Sequence, residues 1–283
     1  MKIGVSGASG ELGKLAIASL VSRNGQQHSI VGISRSPQTI VPPAESRAGD
    51  YDHPDSLTKA YAGLDRLLII PSPALTPGVR ARQYRAAIDG AIRAGVEHIV
   101  LLSAVGTQET AEPSVYAAYW TGEQHLIKNA RRWTILRMNY YAESLAQEIQ
   151  MAFGSGLLAG LGEDRVAFVS RRDVAAAAAG ILLGDGHSGA IYSDTGPEFV
   201  TGAERAALAA EITGKPLHFA IVPRDAMKEG LQQAGLSDEV VNAVLDIKAG
   251  YVAGKCDIVT GDVARLSSQK PRSVRQVLTE LLS

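Results

Sequence analysis

Five short apolar runs rich in β-branched residues, at 2–6, 29–34, 65–71, 97–103 and 133–137, recur through the first half of the chain. Helix-patterned stretches at 11–22, 55–62, 78–94 and 115–130 separate them. A strand that is apolar along its whole length has both faces covered, and the intervening helices supply the cover, so the pattern predicts a parallel sheet between two helical layers. Strand–helix–strand crossovers are right-handed, which winds such a sheet in both directions from its middle. The 283 residues suffice for a sizeable core without disulfide or metal support.

The rhythm changes in the second half. SRRDVAAAAAGILL opens a further helix, with Ser170 placed to cap it and Asp173 completing a capping-box pattern. TGAE at 201–204 repeats that pattern, and helices follow at 203–213, 224–234, 237–250 and 273–282, with one strand at 217–222. The expected organisation is a Rossmann-type, doubly wound α/β domain at 1–195, in which 140–164 borders the substrate pocket, and a smaller, mostly helical substrate-pocket domain at 196–283. Met227, Leu231, Val240, Val244 and Ile247 recur at helical spacing and are expected to form a core face.

Between the first strand and the first helix lies GASGELG. There Gly7 permits a tight turn, Gly10 lets the backbone approach a pyrophosphate, and Gly13 lets the helix pack close to the sheet. The helix N-terminus offers unpaired N–H groups and a positive dipole end to phosphates. The strand–turn–helix context is what gives this GxxGxxG spacing its meaning as a dinucleotide site. The second strand ends in GISRSP, with Arg35 between Ser34 and Ser36 and no carboxylate for a ribose 2′-hydroxyl. A guanidinium suits a 2′-phosphate, so NADP(H) is expected ahead of NAD(H). Two readings fit Asp50: it meets an adenine amino group, or with Asp52 it makes a turn and caps the next helix. Ser72 and Ser103 close their strands at the carboxyl edge of the sheet, where open α/β sheets bind ligands.

Composition excludes several classes. A formal charge of −1 gives no electrostatic case for a nucleic-acid or anionic-membrane partner. The longest apolar tract, 174–184, is too short and alanine-rich to span a bilayer, and the N-terminal apolar run is broken at once by glycines, Glu11 and Lys14. The single cysteine, Cys256, suits a reducing, cytoplasmic compartment and reads as a small packed residue. The six histidines lack ligand spacing, so no metal is expected, and His125 reads as a surface or core residue. No G-x-S-x-G elbow supports a hydrolase. A homodimer is the commonest form for such a protein.

Taken in order, GASGELG, GISRSP, GDYDHPDSL, LLIIPSP, HIVLLSA and ILRMNYYAES resemble the NmrA-like branch of the atypical short-chain dehydrogenases, in particular its NADPH-dependent quinone oxidoreductases of type 2 and triphenylmethane reductases. The resemblance covers nearly the whole chain. It implies that Gly7, Ser9, Gly10, Glu11, Leu12 and Arg35 line the phosphate and ribose, that Ser72, Ser103 and Asn139 lie by the nicotinamide, and that Tyr140 and Tyr141 lie nearer the substrate.

Short-chain dehydrogenases usually carry a Tyr-x-x-x-Lys pair, and here it is absent. Tyr116 is followed four residues later by Trp120, and Tyr119 by Glu123. Lys128 is two and a half turns from Tyr119, about 13 Å along the axis and half a turn around it, and about 18 Å from Tyr116. Reduction of an unactivated carbonyl needs a proton partner in the transition state, whereas a quinone or cationic dye takes hydride into a delocalised system. Orientation then supplies much of the rate. The expected function is an NADPH-dependent reductase of a small conjugated acceptor, with protonation from water or from Tyr116, Tyr119 or Tyr141. A second reading, in a different class, is a non-catalytic NAD(P)-binding redox sensor of the NmrA type. A third is an isomerase or lyase with a tightly held cofactor. Turnover separates the first from the others.

Overall fold

The computed structural model describes residues 1–25 and 27–283. In chain order the elements are β1 (Lys2–Ser6), α1 (Glu11–Arg23), β2 (Ser29–Ser34), β3 (Glu45–Ala48), α2 (Pro54–Tyr61), β4 (Arg66–Ile69), α3 (Val79–Arg93), β5 (His98–Ala104), α4 (Val115–Asn129) and β6 (Trp133–Met138). After them come α5 (Ala142–Ala152), β7 (Leu157–Gly160), β8 (Arg165–Val166), α6 (Arg171–Leu183), β9 (Ala190–Asp194), β10 (Val200–Thr201) and α7 (Gly202–Thr213). The last are β11 (His218–Ile221), α8 (Arg224–Gln233), α9 (Asp238–Val252), α10 (Asp262–Ser267) and α11 (Val274–Leu282). They divide into a first unit of residues 1–138, 171–194 and 262–269 and a second of 139–170, 195–261 and 270–283.

The first unit is built on a seven-stranded sheet in the order β3-β2-β1-β4-β5-β6-β9, and every neighbouring pair is parallel. This is the expected doubly wound α/β sheet. Strand β1 pairs with β2 on one side and β4 on the other, so the winding reverses there and opens a crevice at the carboxyl ends of the strands. All four residues of β4 are buried, as a central parallel strand requires. Helices α1, α6 and α10 pack together, as do α2, α3 and α4. Val31, Ile33, Leu67, Ile69, Ile99 and Leu101 from the sheet meet Leu57, Tyr61, Tyr84 and Ile88 from the helices. Burying each such aliphatic side chain stabilises by about 1.5–3 kcal/mol.

In the second unit β7 pairs in parallel with β11, and β8 antiparallel with β10. Leu145, Ile149, Phe168, Leu217, Tyr251 and Val277 anchor its core. The TGAE box forms: the Thr201 hydroxyl accepts from the Glu204 N–H, and the Glu204 carboxylate accepts from the Thr201 N–H. Such a cap contributes about 1 kcal/mol. The α9 stripe is displaced by one residue from the expected one. Val241 and Leu245 are fully buried beside Met227, whereas Val240, Val244 and Ile247 are half-buried. Both registers have helical spacing. The inner one is continued by Lys248, which is buried because its ammonium pairs with Glu148, and an apolar count overlooks a lysine.

Candidate cofactor and active site

Three glycines in one turn do different physical work. Gly7 has φ +88°, and its N–H, with that of Ala8, donates to the Ile33 carbonyl at 3.0 Å, which folds the chain back over the end of β2. A Cβ on Gly13 would fall 2.3 Å from the Gly7 carbonyl oxygen and 2.7 Å from the Ala8 Cα, so only glycine lets α1 lie against the turn. Gly10 is different. Its φ of −74° and ψ of 163° suit any residue, and a Cβ there would meet only the Gly7 oxygen, at 3.5 Å. Nothing in the chain's own packing demands glycine at 10.

Gly10 is also the N-cap of α1, and no side chain caps that helix. Its first N–H groups therefore lack the partner a Ser or Asp would give them, and an anion fits the place. The Glu11 carboxylate turns to Lys14 at 3.0 Å, so what Glu11 offers a phosphate is its N–H. Leu12 is buried beneath the turn. The Ser34 hydroxyl donates to the Ser9 hydroxyl at 2.7 Å and accepts from the Ser36 N–H at 3.0 Å, tying the glycine turn to the end of β2. Arg35 lies between those serines with its side chain exposed.

The next loop carries the acidic pair. Asp50 accepts from the Asp52 N–H and from the His53 ring, both at 3.0 Å, so its carboxylate shapes the turn into α2. Asp52 accepts from Arg82 and from Gln83, each at 2.9 Å. The Arg82 guanidinium holds the Asp52 carboxyl below the usual carboxylate range, with Gln83 and Arg35 adding to the effect. Gln83 also accepts a hydrogen bond from the Ser72 hydroxyl, which fixes the loop after β4.

At the end of β5 the sequence reading missed a pairing. The fully buried Ser103 hydroxyl donates to Glu123 Oε1 at 2.6 Å. Glu123, only 1% exposed, receives a two-pronged pair from Arg137: Nε to Oε1 at 2.8 Å and Nη2 to Oε2 at 2.5 Å. Glu123 occupies the place four residues after Tyr119 where a dyad would carry lysine. Lys128 is exposed. The available signal was an arginine ending the apolar strand ILRM, which needs a carboxylate once the strand is buried.

Tyr116 and Tyr119, one helical turn apart on α4, are both largely buried. The Arg80 guanidinium lies 5.3 Å from the centre of the Tyr119 ring. In the second unit, Tyr141 is half-buried at the N-cap of α5, and its neighbour Asn139 is buried with its amide committed: Nδ2 donates to the Cys256 carbonyl at 3.1 Å and Oδ1 accepts from the Tyr140 N–H at 2.8 Å. Burial pushes the Cys256 thiol up to about 12, which marks it as unreactive packing. His125 is bound to Asp89 at 2.6 Å on the outer side of α4. Among the described residues no cluster of His, Cys, Asp and Glu has the form of a metal site, and no helix is long and apolar enough to cross a membrane.

The sequence profile described as NAD(P)H-binding matches residues 7–184, more than half of the chain. The NAD(P)H azoreductase of Xenophilus azovorans is 29% identical over 231 residues, covering 78% of this chain and 79% of that one. Quinone oxidoreductase 2 of Escherichia coli is 29% identical over 257 residues, covering 89% and 88%. The crystal structure of that NADPH-dependent enzyme in complex with NADPH superimposes with a TM-score of 0.91 at 27% identity, over 99% of this chain and 100% of that one. The triphenylmethane reductase of Citrobacter sp., in complex with NADP(H), superimposes with a TM-score of 0.89 at 26% identity, again over 99% and 100%.

Proposed function

The chain belongs to the NAD(P)H-binding family, and from that premise we propose that it is an NADPH-dependent reductase of quinones or similarly conjugated acceptors. The observation that carries the proposal is the buried Glu123–Arg137 pair standing where a dehydrogenase dyad would place lysine. A carboxylate there leaves Tyr119 without the lysine that tunes a dehydrogenase tyrosine, so the lysine-assisted proton delivery that carbonyl reduction uses, worth about 10²–10⁴-fold, is missing. Conjugated acceptors relax that need, because the electrons enter a delocalised system. The names of the relatives, an azoreductase, a quinone oxidoreductase and a triphenylmethane reductase, support the same class.

In this reading the N–H groups of Ser9, Glu11 and Leu12 hold the pyrophosphate, Gly10 lets it approach the backbone while its own N–H donates to the Gly7 carbonyl at 3.2 Å, and Gly7 and Gly13 shape the turn. Arg35 takes the 2′-phosphate and so favours NADPH over NADH. Asp50 is offered to the adenine amino group through the lone pairs its turn leaves free. Ser72, Ser103 and Asn139 stand on the nicotinamide side. When bound, the cofactor supplies a hydride. The chain's part is to align it with the acceptor, while water or one of Tyr116, Tyr119 and Tyr141 passes a proton to the reduced acceptor. Residues 140–164 and 196–283 are assigned to the acceptor side. The single buried cysteine suits a cytoplasmic setting, and a homodimer is the form to test by light scattering.

The experiment is NADPH consumption, followed optically, against quinones, azo and triphenylmethane dyes and simple ketones, with NADH as parallel donor. Turnover is expected on the conjugated acceptors, weakly or not at all on ketones, and better with NADPH. Tight binding of NADPH without turnover on any acceptor would replace this reading with the sensor.

A further inference from the structure

Among the described residues, Arg80 is a half-buried cation without a counter-ion. It stands in the first turn of α3, its Nε donates to the Ser72 carbonyl at 3.1 Å, and its guanidinium rests 5.3 Å from the centre of the Tyr119 ring. Among the described residues no carboxylate lies within ion-pair distance of it, and its two terminal nitrogens make no hydrogen bond. Four other arginines of similar or deeper burial are matched, Arg47 by Glu45, Arg66 by Asp185, Arg137 by Glu123 and Arg205 by Asp164, whereas half-buried Arg132, like Arg80, has no ion pair among the described residues. Withdrawing a guanidinium from water without a partner is unfavourable, so a half-buried guanidinium with free donors is a place an anion can satisfy.

The surroundings agree. Arg80 lines two adjoining hollows at the carboxyl edge of the sheet. One, shallow and open to solvent, has Leu75, Thr76, Ser114 and Ala118 in its wall, with exposed Glu112 on its rim. The other, a narrow crevice, is bounded by Tyr51, Ser72, Gln83 and Tyr84. Glu112 does not pair with Arg80, so the free edge of the guanidinium is available to a bound group. The Tyr119 ring beneath and the Ser72 carbonyl beside it fix the guanidinium, so a ligand need not order it.

We propose that Arg80 recognises an anionic substituent, a carboxylate, sulfonate or phosphate ester, on the conjugated acceptor and thereby selects anionic acceptors over neutral or cationic ones. This rests on the reductase reading of the same site. A planar fork of donors suits such oxyanions, and a charge-assisted pair of this kind changes affinity by about ten- to a hundredfold.

The test compares a naphthoquinone sulfonate with the parent naphthoquinone at saturating NADPH, in the wild type, Arg80→Met and Arg80→Lys. Arg80→Met is expected to lower kcat/KM for the sulfonate at least tenfold more than for the parent, through KM. Arg80→Lys restores part of the preference, and added salt narrows it in the wild type. Equal losses on both acceptors would overturn the proposal and leave Arg80 as a support for the Ser72 loop. A rise in the KM for NADPH in place of the sulfonate KM would also overturn it, assigning the anion to the cofactor. If the wild type consumes no NADPH with any acceptor, the reductase reading fails separately. Calorimetric binding of the sulfonate to the NADP⁺-loaded wild type and Arg80→Met then decides the anion site: a tenfold difference supports it, and equal affinity overturns it.

Discussion

Replacing Gly10 and Gly13 in turn by alanine separates what the glycine turn does for the fold from what it does for a ligand. A methyl at 13 would sit 2.3 Å from the Gly7 oxygen and 2.7 Å from the Ala8 Cα, both backbone atoms that no rotamer change can move. Overpacking of that kind costs about 1–3 kcal/mol or more, so Gly13→Ala should lower the melting temperature of the ligand-free protein by roughly 5–10 °C. A methyl at 10 meets only the Gly7 oxygen, at an ordinary 3.5 Å, and the backbone there is already extended. Alanine is a poorer N-cap than glycine by about 1 kcal/mol at most, which is roughly 2–4 °C. Its effect on a phosphate is larger. Holding the pyrophosphate off the helix terminus forfeits one charge-assisted hydrogen bond, about 1.5–3 kcal/mol, or roughly 10- to 150-fold in affinity. Thermal melts without ligand and NADPH titrations by calorimetry read the two effects independently. Gly10→Ala should melt near the wild type and bind NADPH at least tenfold more weakly. A Gly10→Ala protein with wild-type NADPH affinity would refute the assignment of the turn to a phosphate.

Other consequences follow from named contacts. Arg35→Ala should raise the KM for NADPH about tenfold or more and leave that for NADH within twofold, checked by steady-state kinetics with both donors. Glu123→Lys rebuilds the Tyr-x-x-x-Lys spacing on paper, yet it sets an ammonium against Arg137 in a place that is 1% exposed. It should destabilise by about 3–5 kcal/mol, a fall of roughly 10 °C, and yield no ketone reduction. Asp194 ends β9 fully buried with neither carboxyl oxygen hydrogen-bonded, and burial, with Asp262 and Asp173 nearby, pushes its carboxyl well above the ordinary 3.8. As pH rises past 3.8 the unfolded chain loses this proton while the folded one keeps it, so the group's contribution to stability falls with pH. Asp194→Asn should therefore gain stability relative to the wild type by about 1.4 kcal/mol per pH unit while the folded carboxyl stays protonated. Denaturant titrations at several pH values check it, and a pH-independent difference would contradict it.

Much of the sheet was legible because parallel strands announce themselves. β1 and β2 begin and end where their apolar runs do, since charged or turn-forming residues bound each one. β9 was not legible: AIYSD lies at the edge of the sheet, with Ile191 exposed and Ala190 and Ser193 half-buried, and carries no continuous apolar run. Two-residue strands such as β8 and β10 hold too few residues for any period. The six-residue α10 returns to the first unit from far along the chain, a placement that no local pattern encodes. The glycine turn was legible at the level of spacing, but which glycines the fold needs and which it leaves for a ligand depends on distances to atoms outside the motif. Glu123 was noticed for the lysine it displaces. Its pairing with Arg137 and Ser103 joins three elements, and sequence gives no measure of that.

The most direct test is an anaerobic single turnover. The protein is loaded with a slight deficit of NADPH and mixed rapidly with a quinone, or with an unconjugated ketone of similar size, while the nicotinamide absorbance is followed. Complete loss of that absorbance is expected with the quinone, matched mole for mole by hydroquinone, and none on the same timescale with the ketone. Equal rates with both acceptors, or bound NADPH that stays reduced in front of the quinone, would contradict it.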